Sequence, residues 1–128
     1  MKLRVLVFLF LFAFTAASCS AQTGEVKFTQ ANNAEFAQKM KGEKVVVLDV
    51  RTPGEYASGH LEGAQMIDVT QPDFEKKIQT LDKNATYLVY CRSGARSSTA
   101  CSIMTKNGFK KVVNLTNGIS GWDGKVVK

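Results

Sequence analysis

Val45-Val46-Val47-Leu48 is apolar at every position and mostly β-branched, the pattern of a strand covered on both faces rather than one. Two further runs, Thr86 to Tyr90 and Lys111 to Leu115, read the same way. Stretches with helical spacing separate them. Asn33 to Met40 puts Phe36, Ala37 and Met40 on one face, and Pro72 to Leu81 aligns Phe74, Ile78 and Leu81. Thr52-Pro53-Gly54-Glu55 has the layout of a capping box, with Thr as N-cap, Pro at the first helical position and Glu returning to the cap. Ala95 to Lys106 reads as a helix stopped at Asn107-Gly108. Strands alternating with helices predict an α/β fold, an open parallel β-sheet flanked by helices on both faces.

The first residues read as an export signal. Lys2 and Arg4 precede the apolar run Val5 to Phe14, which leads into Ala16-Ala17-Ser18-Cys19. Spanning a bilayer takes roughly 20 apolar residues, so the run suits a secretory signal and not a membrane helix. Residues 1–18 are assigned to a signal peptide of lipoprotein type, with Cys19 as the lipidated residue. The box is loose, because Ala16 stands where Leu is commoner. The alternative is cleavage nearby, for example after Ala21, which leaves no lipid. Ser20 follows Cys19 in place of the Asp that retains lipoproteins on the inner membrane. The expected location is therefore the outer membrane, facing the periplasm, or soluble periplasmic or secreted if Cys19 carries no lipid. Residues 19–25 form a short polar tether, and residues 26–128 suffice for one domain and not for two.

Charge and cysteine content narrow the partners. The chain has 17 Lys+Arg and 11 Asp+Glu. Lys2 and Arg4 leave with the signal, so 15 bases face 11 acids and the mature net charge is about +4. Lys76-Lys77 and Lys110-Lys111 are the only adjacent basic pairs, without aromatic interleaving. A nucleic-acid partner is not expected from so scattered a distribution. Three cysteines, Cys19, Cys91 and Cys101, are too few for a disulfide scaffold. His60 is the only histidine, which gives little support to a metal site or a Cys-His-Asp triad.

The chemistry lies in Tyr87-Leu88-Val89-Tyr90-Cys91-Arg92-Ser93-Gly94-Ala95-Arg96-Ser97-Ser98. A buried strand ends in a cysteine, and a short glycine loop opens directly into a helix. Ligands of open parallel sheets bind beyond the carboxyl ends of strands, where Cys91 falls. Loop N–H groups and the helix N-terminus create positive potential there, which favours the thiolate over the ordinary thiol with its pKa of about 8.5. Arg92 and Arg96 add formal charge, so the site offers a nucleophilic sulfur in an anion cradle.

These residues resemble the rhodanese-like sulfurtransferase family. Val46-Val47-Leu48-Asp49-Val50-Arg51-Thr52-Pro53-Gly54-Glu55-Tyr56, with Gly59-His60-Leu61-Glu62-Gly63-Ala64, is similar to its N-terminal motif. Cys91 to Ser97 resembles its active-site loop, and Val113-Asn114-Leu115 with Gly118-Ile119 and Trp122 its C-terminal motif. The resemblance covers about residues 26–125 and makes 26–128 a rhodanese-like domain. It implies that Cys91 attacks the outer sulfur of a donor such as thiosulfate, carries it as a persulfide and passes it to cyanide or a thiol. Arg92, Ser93, Gly94, Ala95 and Arg96 would form the substrate-binding cradle, with no cofactor and no metal. Outside the cytoplasm a thioredoxin-like reductant is a further candidate partner.

Other readings stand beside this one. Four residues separate Cys91 from Arg96, whereas tyrosine-type phosphatases and related arsenate reductases place five. The shorter loop suits a single sulfur better than a phosphoryl group. A non-enzymatic persulfide carrier or protein-binding module with the same fold is the other alternative. Asp49, Arg51, Glu55 and His60 resemble scaffold elements, expected to pair and cap. Arg96 could bind substrate or tie the loop to a carboxylate. Cys101 is expected as a buried small residue; pairing with Cys91 would require some unwinding of its helix, and an oxidising periplasm keeps that pairing open, while Trp122 is expected as core or a lid on the sheet edge. Asn117 replaces a family glycine, and its tolerance of positive φ would preserve the turn. Met66-Ile67-Asp68 departs from the family's Asn-Ile-Pro and leaves the pocket rim open.

Overall fold

The computed structural model describes residues 27–128; the signal segment, Cys19 and the tether lie outside them. Chain order runs β1 (Thr29–Ala31), α1 (Asn33–Met40), β2 (Val45–Asp49), α2 (Pro53–Ser58), β3 (His60–Leu61) and β4 (Gln65–Met66). It continues with α3 (Phe74–Ile78), β5 (Thr86–Tyr90), α4 (Ala95–Lys106), β6 (Lys111–Leu115), a 3₁₀ turn (Ile119–Gly121) and β7 (Val126–Val127). Five strands form one sheet in the order β1-β6-β5-β2-β4, and every pairing in it is parallel. β3 and β7 make a separate antiparallel pair.

Side-chain alternation along the central strands builds two cores. Tyr87, Val89 and Cys91 face α3 and α4, meeting Phe74, Ile78, Ala100, Cys101 and Met104. Leu88 and Tyr90 point the other way, toward Phe36 of α1 and Leu61. The fold is the expected α/β sheet with helices on both faces. β5 therefore delivers Cys91 to the α4 side, beside the start of the helix that follows it.

Local chemistry explains where elements begin and stop. Asn32 and Thr52 cap α1 and α2, each in a full capping box with Glu35 and Glu55 respectively. α4 ends at Asn107, and Gly108 takes φ +91°. The helix expected over Pro72 to Leu81 is shorter, Phe74–Ile78, because Asp73 makes no capping bond and residues 79–81 continue only as turns. Phe74 and Ile78 are buried all the same. β1 gave no apolar signal: of Thr29-Gln30-Ala31 only Ala31 is buried, as suits a sheet edge.

Candidate active site

Cys91 follows β5 directly and is 1% exposed. Its Sγ accepts a hydrogen bond from the Gly94 N–H at 3.1 Å and another from the Ser97 hydroxyl at 3.3 Å. Burial works against the thiolate. The Ser97 hydroxyl, with the N–H groups of Ser97, Ser93 and Gly94, outweighs it and holds the thiol below its ordinary pKa. Cys101, 0% exposed, has the opposite fate: burial, then the charge on Cys91, pushes its thiol up. Both cysteines are free, and Cys101 is the expected buried small residue.

The lowered thiol has a kinetic consequence. Iodoacetamide should alkylate Cys91 with a pH midpoint below that of a free thiol, since only the thiolate reacts. Ser97→Ala removes the leading donor, so the midpoint rises and alkylation near neutral pH slows roughly tenfold, the worth of one hydrogen bond to a charge. A midpoint unchanged in the variant would assign the shift to backbone donors alone.

The cradle residues fall into two groups. Arg92, Ser93 and Ala95 are exposed around the buried sulfur, and the Arg92 side chain has no ion pair or hydrogen bond among the described residues. Gly94 is buried at φ +98°, and a Cβ there would lie 2.1 Å from the Thr116 carbonyl oxygen. Arg96 makes the tie to a carboxylate: its two terminal nitrogens each donate to a Glu55 oxygen at 2.8 Å. Arg92 is thus the loop cation left facing solvent.

Glu55 joins the loop to α2. The Arg96 guanidinium, helped by the Thr52 N–H and hydroxyl against the cost of burial, holds its carboxyl at about 2 in place of 4.5. A depressed carboxyl contributes stability above its unfolded pKa and loses it as pH falls, here between about 4.5 and about 2. Both groups are about one-third exposed, which limits the pair to about 1 kcal/mol. Urea unfolding should find Glu55→Gln less stable than the parent by that amount at pH 6, with the gap closing toward pH 2.

The remaining polar residues build the scaffold. Asp49, 0% exposed, accepts from Arg51 Nη2 at 2.6 Å and from the Tyr90 hydroxyl at 2.7 Å. Arg51 also donates to the Gly59 carbonyl, and the Leu61 N–H donates to the Tyr90 oxygen. The network thereby ties β2, β5 and β3 together next to the site. His60 stacks on Tyr56 at 3.7 Å and places Nδ1 2.9 Å from the Tyr56 carbonyl, so that nitrogen carries the proton. Trp122 packs edge-on to Phe36 as part of the α1-side core.

Two contributors lay beyond sequence reasoning. Ser97 closes the stretch that resembles the active-site loop, but the sequence assigns its side chain no role; its place in the first turn after Cys91 is the available signal. The second is a clamp. Ile119 and Ser120 N–H groups donate to the Cys91 and Arg92 carbonyls at 2.9 and 3.0 Å. Those carbonyls are held away from the sulfur, which leaves the loop's N–H groups to face it. Gly118 adopts φ +61° so that the turn can approach, and a Cβ on it would lie 2.3 Å from the Arg92 carbonyl oxygen. Asn117 does not take positive φ, contrary to expectation; Gly118 alone supplies the left-handed residue.

The rhodanese-like domain family matches residues 32–125. The chain belongs to that family. Several curated relatives of this rhodanese-like chain carry sulfur-transfer names. It is 32% identical over 101 residues to the putative sulfurtransferase YtwF of Bacillus subtilis, covering 78% of this chain and 95% of that one. It is 36% identical over 89 residues to the thiosulfate sulfurtransferase GlpE of Pseudomonas fluorescens, 69% of this chain and 79% of the relative. Against the putative sulfur carrier protein YrkF of Bacillus subtilis, identity is 37% over 91 residues, 70% of this chain but only 48% of the relative's length. Among solved structures, a rhodanese-related protein from Thermoplasma volcanium superposes with a TM-score of 0.69 at 27% identity, covering 78% of this chain and 98% of that one.

Proposed function

We propose that the protein moves a sulfane sulfur from a donor such as thiosulfate to a thiol or cyanide through a persulfide on Cys91. The observation that carries this reading is the buried Cys91 sulfur, which accepts from the Gly94 N–H and the Ser97 hydroxyl and whose thiol is thereby held below its ordinary pKa, with exposed Arg92 beside it. In the first half-reaction the thiolate attacks the outer sulfur of thiosulfate. A Cys91 S–S bond forms, the thiosulfate S–S bond breaks, and sulfite leaves with the electron pair. Arg92 draws the dianion in and steadies the departing sulfite. In the second, an acceptor thiolate or cyanide attacks the outer sulfur and Cys91 leaves as thiolate. Ser97 and the loop N–H groups stabilise sulfur anions in both steps. Arg96 acts as a positioning residue through Glu55.

A phosphoryl-transfer reading fares worse. The loop has one residue fewer than phosphatase loops, and the arginine that closes it is bidentate on Glu55. Intact mass of the reduced protein after thiosulfate treatment tests the proposal. One sulfur should appear on Cys91 and be released by cyanide as thiocyanate. No uptake from thiosulfate, polysulfide or thiol persulfides would leave the partner-binding module as the better reading.

Export and anchoring through a lipidated Cys19 complete the proposal, with a thioredoxin-like reductant keeping Cys91 reduced outside the cytoplasm. Mass spectrometry of the membrane fraction should find an acylated Cys19 at the mature N-terminus. A mature chain starting after Ala21 without acyl mass would make the protein soluble.

A further inference from the structure

Bases scattered along the sequence are gathered in space. Lys110 and Lys111 stand at the start of β6, Lys27 two residues before β1, and Lys39 in the last turn of α1. Parallel pairing of β1, β6 and β5 brings these starts to one end of the sheet. There the four lysines and Thr86 border an open cleft of about 250 Å³. Lys44 precedes β2, Lys41 follows α1, and Lys106 and Lys83 flank the end of α4 and the approach to β5. Against these stand Glu43 and Asp82. Lys39, Lys41, Lys44, Lys106, Lys110 and Lys111 are exposed and form no ion pair among the described residues. At the other end, the charges of Arg51, Arg96 and Lys125 are matched by Asp49, Glu55 and Glu62, while Arg92 has no ion pair among the described residues.

We propose that this lysine-bearing end is a docking surface for an anionic lipid bilayer. The charges are lysines without a single arginine, which suits diffuse attraction to many headgroups rather than bidentate capture of one anion. Phe109 beside the patch is buried and Phe28 packs partly buried against the α4-side core, so among the described residues no exposed aromatic stands there for bases to stack on. The choice of a bilayer over other polyanions rests on the anchoring proposed above. Cys19 precedes Lys27 by eight residues, and that chain spans at most about 30 Å. A lipid there would hold this end close to the membrane. Cys91, at the opposite end of β5, then faces the aqueous side, where donor and acceptor diffuse.

Each lysine near an anionic surface adds about fivefold in binding within a Debye length, about 10 Å at 0.1 M salt. Residues 20–128 carry every described element and lack Cys19, so vesicle co-sedimentation of this chain reads the surface without the lipid. Binding to phosphatidylglycerol-containing vesicles, none to phosphatidylcholine vesicles, and loss of binding at high salt are expected. Lys39→Glu/Lys110→Glu/Lys111→Glu should bind at least about tenfold more weakly while still taking up sulfur from thiosulfate at the parent rate. Equal binding to both vesicle types, parent-like binding by the triple variant, or binding to duplex DNA but not to vesicles would overturn the proposal. So would release by inorganic phosphate beyond that of sodium chloride at matched ionic strength, which would indicate a site for a free anion. Because Cys19 is absent, failure here leaves the anchor to its own test, the acyl mass.

Discussion

Replacing Cys91 by serine should abolish sulfur uptake, lowering turnover at least about 10³-fold, the scale seen when a covalent nucleophile is removed. The expected mass after thiosulfate treatment is that of the untreated variant. Serine keeps the size of the side chain and can still accept from Gly94 and Ser97, so the fold should persist. What it lacks is a nucleophile ionised near neutral pH. Cys101 cannot take over, because it is fully buried and its thiol is pushed up. The substitution therefore isolates one sulfur atom. If the variant still gained a sulfur removable by cyanide, another residue would be the carrier, and the reading of the loop as a persulfide cradle would fail.

Gly118→Ala should damage the site almost as severely without altering any residue that faces the sulfur. The native backbone there has φ +61° and ψ −167°, a region open to glycine and strained for alanine. The added methyl would meet the Arg92 carbonyl oxygen at 2.3 Å. Either the turn withdraws or the loop does, and each loses the bonds from Ile119 and Ser120. Strain and lost hydrogen bonds together suggest a cost of at least about 3 kcal/mol. Chemical denaturation should register this as a lower midpoint. Sulfur uptake, measured where the variant is still folded, should fall at least about tenfold, because the N–H groups no longer converge on Cys91. A variant with parent-like stability and uptake would mean that the turn is not a clamp.

Much of the fold was legible because its strands are covered on both faces. Val45 to Leu48 and Thr86 to Tyr90 are largely apolar runs, α1 announces itself by the spacing of Phe36, Ala37 and Met40, and α2 by its capping box. β1 was not legible, since an edge strand needs few apolar residues and Thr29-Gln30-Ala31 has one. Pro72 to Leu81 carried the right apolar stripe but no cap, and periodicity alone overstated its helix. Within the site, the loop from Cys91 to Arg96 was readable as strand, glycine turn and helix start. The partner of Arg96 was not, because Glu55 lies 41 residues away and no local pattern records the pairing. The gathering of lysines was hidden for the same reason: parallel crossovers bring together residues that sequence order keeps apart.

The clamp from Ile119 and Ser120 also sets an order of events during synthesis. Cys91 leaves the ribosome well before the segment that turns its carbonyls aside, since domains emerge N-terminal first. Until Gly118 to Gly121 dock, the loop has no reason to point its N–H groups at the sulfur. A stalled or C-terminally clipped chain lacks the two bonds that turn these carbonyls aside, and its Cys91 is expected to alkylate more slowly than in the folded domain. Docking of the turn is thus expected to set the time at which the cradle around Cys91 is complete.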